Sequence, residues 1–243
     1  MQLKKIFDCW AGKTAKKYSD RQWLLSKWEV IEGIEWPQEK IRLMLAAIAK
    51  DLKLGSQDNL VGLGCGGGWI LKSLKKRVKE TYGLDFAIEM LRIARLNDKK
   101  GKFICGEIGR LPFASESFSR VLSYFVFINF SEEYTRRCLL EIYRILKMGG
   151  RALIGQIPNE RGSKDYDRAK EDYLAYCARV FKLGKDTSRL NAPPIELFDR
   201  KELSAFLRAK KIQHEIAPSF NPFWRRGEPL RVSWRFDLIL KKK

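Results

Sequence analysis

From residue 59 to residue 157 the chain alternates short apolar runs with longer amphipathic ones. Residues 59–63, 80–85, 102–105, 120–125 and 151–157 are apolar and β-prone, the pattern of strands buried on both faces of a parallel sheet. Between them, 70–77, 87–96 and 132–146 carry apolar residues at helical spacing, such as Leu91 and Ala94 in the second and Leu139, Ile142 and Leu146 in the third. Gly149 and Gly150 are expected to end that third helix. Strand and helix in regular alternation predict a parallel sheet with helices on both faces. Ahead of it, residues 7–54 read as helical, with Trp23, Leu24, Trp28 and Ile31 in one apolar stripe and Ile41, Leu45, Ile48, Ala49 and Leu52 in another beyond Pro37.

After residue 158 the rhythm changes. Residues 163–181 read as an inserted helix with Tyr166, Tyr173, Cys177 and Val180 on one side, and 188–197, with Pro193 and Pro194, as a linker or rim loop. Asp199 and Glu202 form a capping-box start for a helix bearing Leu203, Phe206 and Leu207. Two last strands, 212–216 and 232–240, are joined by too few residues for a crossover helix, so the final strand is expected to run antiparallel. The predicted fold is α/β: one domain with a Rossmann-like seven-stranded sheet, mostly parallel with an antiparallel last strand, and helices on both faces. Within it, 1–55 form an N-terminal helical cap, 56–157 the core, 158–198 an inserted substrate-side segment and 199–243 the last helix and strand pair.

The chemistry concentrates where the first strand stops in Gly62, Gly64, Gly66, Gly67 and Gly68 and a helix begins at once. Glycines let backbone approach a ligand closely and adopt positive φ, and the free N–H groups of the helix face any polar group there. Asp85 ends the second strand, 21 residues after Gly64, where a carboxylate can accept hydrogen bonds from ribose hydroxyls. Glu107, at the tip of the third strand, is an adenine-side candidate, with an exposed loop acid as the equally common alternative. The glycines satisfy both a dinucleotide fingerprint, through Gly62, Gly64 and Gly67, and a G-x-G-x-G pattern, through Gly64, Gly66 and Gly68.

Composition narrows the partners. With 48 Lys and Arg against 29 Asp and Glu, the 243 residues carry a formal charge of +19 and a pI near 9.8, which suits polyanions, an anionic membrane face or a phosphorylated metabolite as well as a merely solvated surface. Five scattered cysteines and a single histidine argue against a zinc site or a disulfide framework. No hydrophobic signal core follows Met1, and the longest apolar-rich run is well short of a membrane span, so a reducing, cytoplasmic setting is expected. Residues 8–18, aromatic and basic, read either as a lid over the cofactor or as an N-terminal helix anchored by Trp10 and Tyr18. Arg225, Arg226, Arg231 and Arg235, interleaved with Phe223, Trp224 and Trp234, form the densest basic-aromatic cluster and suit an anionic substrate.

Taken together, the motifs resemble those of class I S-adenosylmethionine-dependent methyltransferases, in the broad branch acting mostly on small molecules and lipids. Gly64-Cys65-Gly66-Gly67-Gly68 resembles the first motif, Tyr82-Gly83-Leu84-Asp85 the second, Gly106-Glu107-Ile108 with Leu111-Pro112-Phe113 the third, and Ile142 to Gly150 the approach to the fifth strand, with Met148 where proline is usual. The antiparallel terminal pair is also that family's sheet signature and argues against a dehydrogenase, which would want a second βαβαβ half. The resemblance implies S-adenosyl-L-methionine as cofactor and S-adenosyl-L-homocysteine as product. It implies that Gly64, Cys65, Gly66 and Gly68 shape the turn around the methionine part, and that Asp85, with Phe86 beside it, holds the ribose diol. Glu107 and the Ile108 backbone would meet adenine. Tyr124 would line the methyl end, unless it is strand-end core, and Tyr18 would close the lid.

Two departures stand out: Gly62 occupies the position where the family usually carries an acid for the cofactor's amino group, and Ser119 the usual aspartate of the fourth motif. No planar-amine tetrad follows the fourth strand, which reads Ser123-Tyr124-Phe125-Val126-Phe127, and no residue is assigned as general base; His214, although unique, reads better as structural. The expected activity is methyl transfer to a small-molecule or lipid-linked acceptor, with charge that suits an anionic one. RNA methylation and a non-catalytic, scaffolding member of the family are the alternatives, and no metal is expected.

Overall fold

The computed structural model describes residues 30–31, 34–35, 38–127, 130–159, 198–220 and 231–243. Nine strands and five α-helices are described: β1 (Val30–Ile31), β2 (Ile34–Glu35), α1 (Gln38–Leu52), β3 (Asn59–Leu63), α2 (Trp69–Leu74), β4 (Glu80–Asp85), α3 (Ile88–Asn97), β5 (Lys102–Cys105), β6 (Phe118–Tyr124), α4 (Glu132–Ile145), β7 (Leu146–Pro158), α5 (Arg200–Ala209), β8 (Gln213–Phe220) and β9 (Arg231–Lys241). Seven form one sheet in the order β5-β4-β3-β6-β7-β9-β8. β9 alone runs against its neighbours β7 and β8, and every other pairing is parallel, as the short final connection required.

Side-chain alternation along the central strands sorts the core into two layers. Val61, Leu63, Val121, Ala152 and Ile154 face α4 and α5, packing on Leu139, Ile142, Leu203 and Leu207. Leu60, Leu122 and Leu153 face α1 and α2, meeting Ile48, Leu52, Leu71 and Leu74. Ser131 caps α4 by accepting from Tyr134 N, and Asp199 caps α5 by accepting from Lys201 N and Glu202 N. Ser119, the replacement for an aspartate, stitches β6 to β3 by accepting from Asn59 N at 3.0 Å.

Two expected boundaries move. Val30–Ile31 and Ile34–Glu35 pair as a two-residue antiparallel ladder, so Ile31 ends no helical stripe; β-branched residues at 30, 31 and 34 favour the extended form. The helix before Gly149 stops at Ile145, because Leu146 turns extended and pairs with Phe118 in the sheet. Gly149, at φ 74°, then lies inside β7, where its N–H donates to Lys242 O. The segments 8–18 with Tyr18, the Trp23 to Trp28 stripe, 163–181, 188–197, and Arg225 and Arg226 with Phe223 and Trp224 lie outside the described residues.

The tightest close approach inside the sheet is Tyr124 on Gly155, where an added Cβ would fall 2.1 Å from the ring. Gly155→Ala should therefore destabilise the fold by about 1–3 kcal/mol, the range for overpacking a filled core. Gly149→Ala meets nothing within 4 Å and should lose only the left-handed penalty of about 1–2 kcal/mol. Urea unfolding of the two variants checks the ordering.

Candidate functional site

The site is built where β3 and β4 end side by side. The chain leaves β3 through Gly64, Gly66 and Gly68, all left-handed at φ 68°, 51° and 73°, conformations that glycine adopts without a Cβ penalty. Gly64 N and Cys65 N both donate to Leu84 O, at 2.8 and 3.0 Å, which folds the turn back over the tip of β4. There Asp85, buried at the strand end, accepts from Gly66 N through Oδ2 at 2.8 Å and from Ala87 N through Oδ1 at 2.9 Å. A carboxylate offers about four acceptor positions, and these two backbone bonds fix how it is turned.

Neighbouring side chains complete the cradle. Asn97, at the end of α3, donates through Nδ2 to Gly67 O at 2.9 Å, and Met90 and Ile93 close on Gly66 and Gly67. Val126, just past β6, lies so near Gly64 that a Cβ there would come within 2.5 Å of its Cγ2. None of these was anticipated: Asn97 reads as a helix tail, and its partner lies 30 residues upstream. Burial first and the Asp85 charge second push the Cys65 thiol well above the ordinary range, which disfavours its thiolate.

The third-strand tip is held from α4. Gly106 N donates to Asp85 O, so Glu107 and Ile108 follow directly on the carboxylate's own backbone. Arg137 Nε donates to Gly109 O at 2.7 Å, and Arg144 bonds Phe113 O and Leu111 O while pairing with Glu141, whose carboxyl it holds below its usual value. The result leaves Glu107 exposed and Ile108 buried in the apolar core. Phe86 is half-buried between Asp85 and Ala87. The structure thus brings together Gly64, Cys65, Gly66, Gly68, Asp85, Phe86, Glu107 and Ile108.

Tyr124, at the end of β6, turns toward β7. Its ring stacks edge-on against Phe125 and its hydroxyl sits 3.4 Å from Gln156 Nε2, within a buried polar cluster at the ends of β6, β7, β8 and β9. In that cluster Asp237 accepts from Ser219 Oγ at 2.5 Å and from Gln156 N at 3.0 Å, and burial lifts its carboxyl to about 6. Arg231 pairs with Asp51 at 2.6 Å and with Asp237 at 3.3 Å, and Arg235, buried, donates to Gln156 O. These two arginines therefore serve the protein's own acceptors, against the expectation that they present charge to a substrate. His214 is structural too: Nδ1 faces Ile212 O at 3.0 Å and Nε2 meets Ser204 Oγ at 2.7 Å, at the opposite edge of the sheet from the cradle.

The position of the missing acid is filled. Gly62 faces α2, and any side chain there would meet Leu71, 2.9 Å from an added Cβ.

The family described as a methyltransferase domain matches residues 61–154, a span that runs from within β3 to within β7 and holds the whole cradle. Over those residues the chain carries a methyltransferase domain, in keeping with a class I S-adenosylmethionine-dependent methyltransferase. A demethylmenaquinone methyltransferase of Thermus thermophilus is 30% identical over 51% of this chain and 55% of its own length. An uncharacterised protein of Methanocaldococcus jannaschii is 29% identical over 62% of this chain and 49% of its own. The chain thus spans about half the length of the curated relatives it matches. Among solved structures, a proposed methyltransferase of Haloferax volcanii, in complex with a methyltransferase activator, superposes with a TM-score of 0.62 at 19% identity over 97% of this chain and 96% of that one, which shows the shared fold. S-adenosylmethionine is the cofactor of such a domain, and the cradle's donors and acceptors fit it: left-handed glycines beside a buried, oriented carboxylate. No cluster of metal-binding side chains occurs among the described residues, and no helix among them is long and apolar enough to cross a membrane.

If Asp85 grips the ribose diol, Asp85→Asn, which turns one acceptor oxygen into a donor, should weaken S-adenosylhomocysteine binding at least about tenfold, the scale of one charge-assisted hydrogen bond. Calorimetry on the folded variant measures it.

Proposed function

We propose that this chain transfers the methyl group of S-adenosylmethionine to a small-molecule or lipid-linked acceptor. The observation that carries the reading is Asp85, buried and aimed by the N–H groups of Gly66 and Ala87 at the tip of β4. Asp85 and the glycine turn hold the adenosine and methionine parts, while Glu107 and the Ile108 backbone take the adenine side. Transfer is an in-line displacement: the acceptor atom bonds to the methyl carbon as the carbon–sulfur bond breaks, its electron pair stays on sulfur, and the acceptor's proton leaves to solvent. The leaving group is already activated, so alignment is the protein's main contribution.

A small acceptor is supported by the company the chain keeps, since the Thermus thermophilus relative is named for demethylmenaquinone. It is supported too by the internal pairing of Arg231 and Arg235, which removes part of the basic cluster from the case for RNA.

Incubating the purified chain with methyl-labelled cofactor and fractionated cell extract should place label in a low-mass or lipid fraction. Label confined to RNA would establish the nucleic-acid reading instead, and cofactor binding without any labelled product would establish a non-catalytic role.

A further inference from the structure

Gln156 is anomalous twice over. It is a left-handed non-glycine residue, at φ 67°, inside a strand, and its side chain is wholly buried with Oε1 lacking a hydrogen-bond partner among the described residues. A left-handed side-chain-bearing residue costs about 1–3 kcal/mol and persists only where the surroundings enforce it. A buried, unmet carbonyl oxygen adds a penalty of its own.

The amide cannot be turned over to relieve this. Nε2 donates to Phe220 O at 2.6 Å, and rotating the amide would set oxygen against that carbonyl. Oε1 therefore remains an acceptor waiting for a donor. Nor is the neighbourhood short of negative charge: Asp237 bonds Gln156 N, and both arginines of the cluster already bind acceptors of the chain. An anion brought here would meet an oxygen and a carboxylate, with Arg231 already paired to two carboxylates of the chain.

The position is suggestive of the acceptor. Gln156 lies at the carboxyl ends of β6 and β7, across from the cofactor half at the point where strand order reverses between β3 and β6, the crevice where open α/β sheets bind ligands. Three consecutive residues link the two halves: Tyr124 reaches Gln156, Phe125 is itself left-handed at φ 62°, and Val126 packs on Gly64 of the cradle. Strain at Phe125 and at Gln156 thus falls just past β6, which borders this crevice, and near the end of β7 beside it.

We propose that Gln156 and Tyr124 form the acceptor's seat, in which Gln156 Oε1 receives a hydrogen bond from a hydroxyl or amine N–H of a neutral acceptor. Tyr124, whose proton burial holds in place, presents its hydroxyl beside that amide. The inference deepens the methyltransferase reading by naming the acceptor's chemistry, a neutral donor in place of the anion that the basic cluster suggested.

The test needs no turnover and no knowledge of the natural acceptor. Chain loaded with S-adenosylhomocysteine is exposed to phenol, anisole and benzoate, three ring probes of similar size that differ in carrying a donor, no donor or a negative charge. Phenol should bind, with its oxygen within hydrogen-bonding distance of Gln156 Oε1 in soaked crystals, and anisole and benzoate should not. In solution, Gln156→Met should weaken phenol binding about fivefold or more, the scale of one buried hydrogen bond, with S-adenosylhomocysteine affinity unchanged within about twofold. Tyr124→Phe, which keeps the ring on Gly155, gives the same readout should the first variant fail to fold. An ordered water as the only occupant of Oε1 with phenol absent, equal binding of benzoate or anisole, or phenol affinity indifferent to both variants would each overturn the seat. Failure of S-adenosylhomocysteine to bind at all would strike the methyltransferase reading instead.

Discussion

The cradle depends on one carboxylate fixed by backbone. Asp85 accepts from Gly66 N and from Ala87 N, so a single side chain ties the turn after β3 to the start of α3. Those bonds demand the left-handed glycines: with a Cβ at Gly64 the turn would run into Val126, and with one at Gly68 into Ala94 and Phe103. Burial makes the arrangement stiff, because an unpaired carboxylate in a dry environment is costly and bonds to it are stronger than in water. The sheet supplies the frame, since β3 and β4 are in parallel register up to Leu63 and Leu84, whose carbonyl accepts the first two N–H groups of the turn.

Around that point, charge is arranged to be consumed locally. Arg144 and Arg137 hold the third-strand loop to α4, Arg120 pairs with Asp58 and bonds Lys53 O, and Arg231 joins α1 to β9 through Asp51 and Asp237. These arginines are committed to carbonyls and carboxylates of the fold, so the excess of +19 is offered to a polyanion by other side chains.

The sequence displayed the sheet well because its strands are buried on both faces and its helices on one, two patterns with different periods. Asp85 and the glycines were legible for the same local reason: strand, turn and helix follow one another within a few residues. What escaped was set by contacts distant in sequence. Asn97 meets Gly67 from 30 positions away, Arg231 meets Asp51 from 180, and Gln156 reaches Phe220 O from 64. Nothing in the spacing of Arg231 and Arg235 distinguishes cations that await a ligand from cations already paired. Gln156 did leave one trace, a polar residue between Gly155 and Ile157 in an otherwise apolar strand, but its left-handed backbone appears only in three dimensions. Gly62 is a further case: the loss of an acid is visible in the chain, whereas Leu71 filling its place is not.

A crystal structure of the chain grown with S-adenosylhomocysteine addresses the central claim most directly. The account predicts adenosine across the ends of β4 and β5, both ribose hydroxyls on the Asp85 carboxylate and the homocysteine along the turn of Gly64, Gly66 and Gly68. Ligand bound elsewhere, or at that edge with its ribose clear of Asp85, would contradict it.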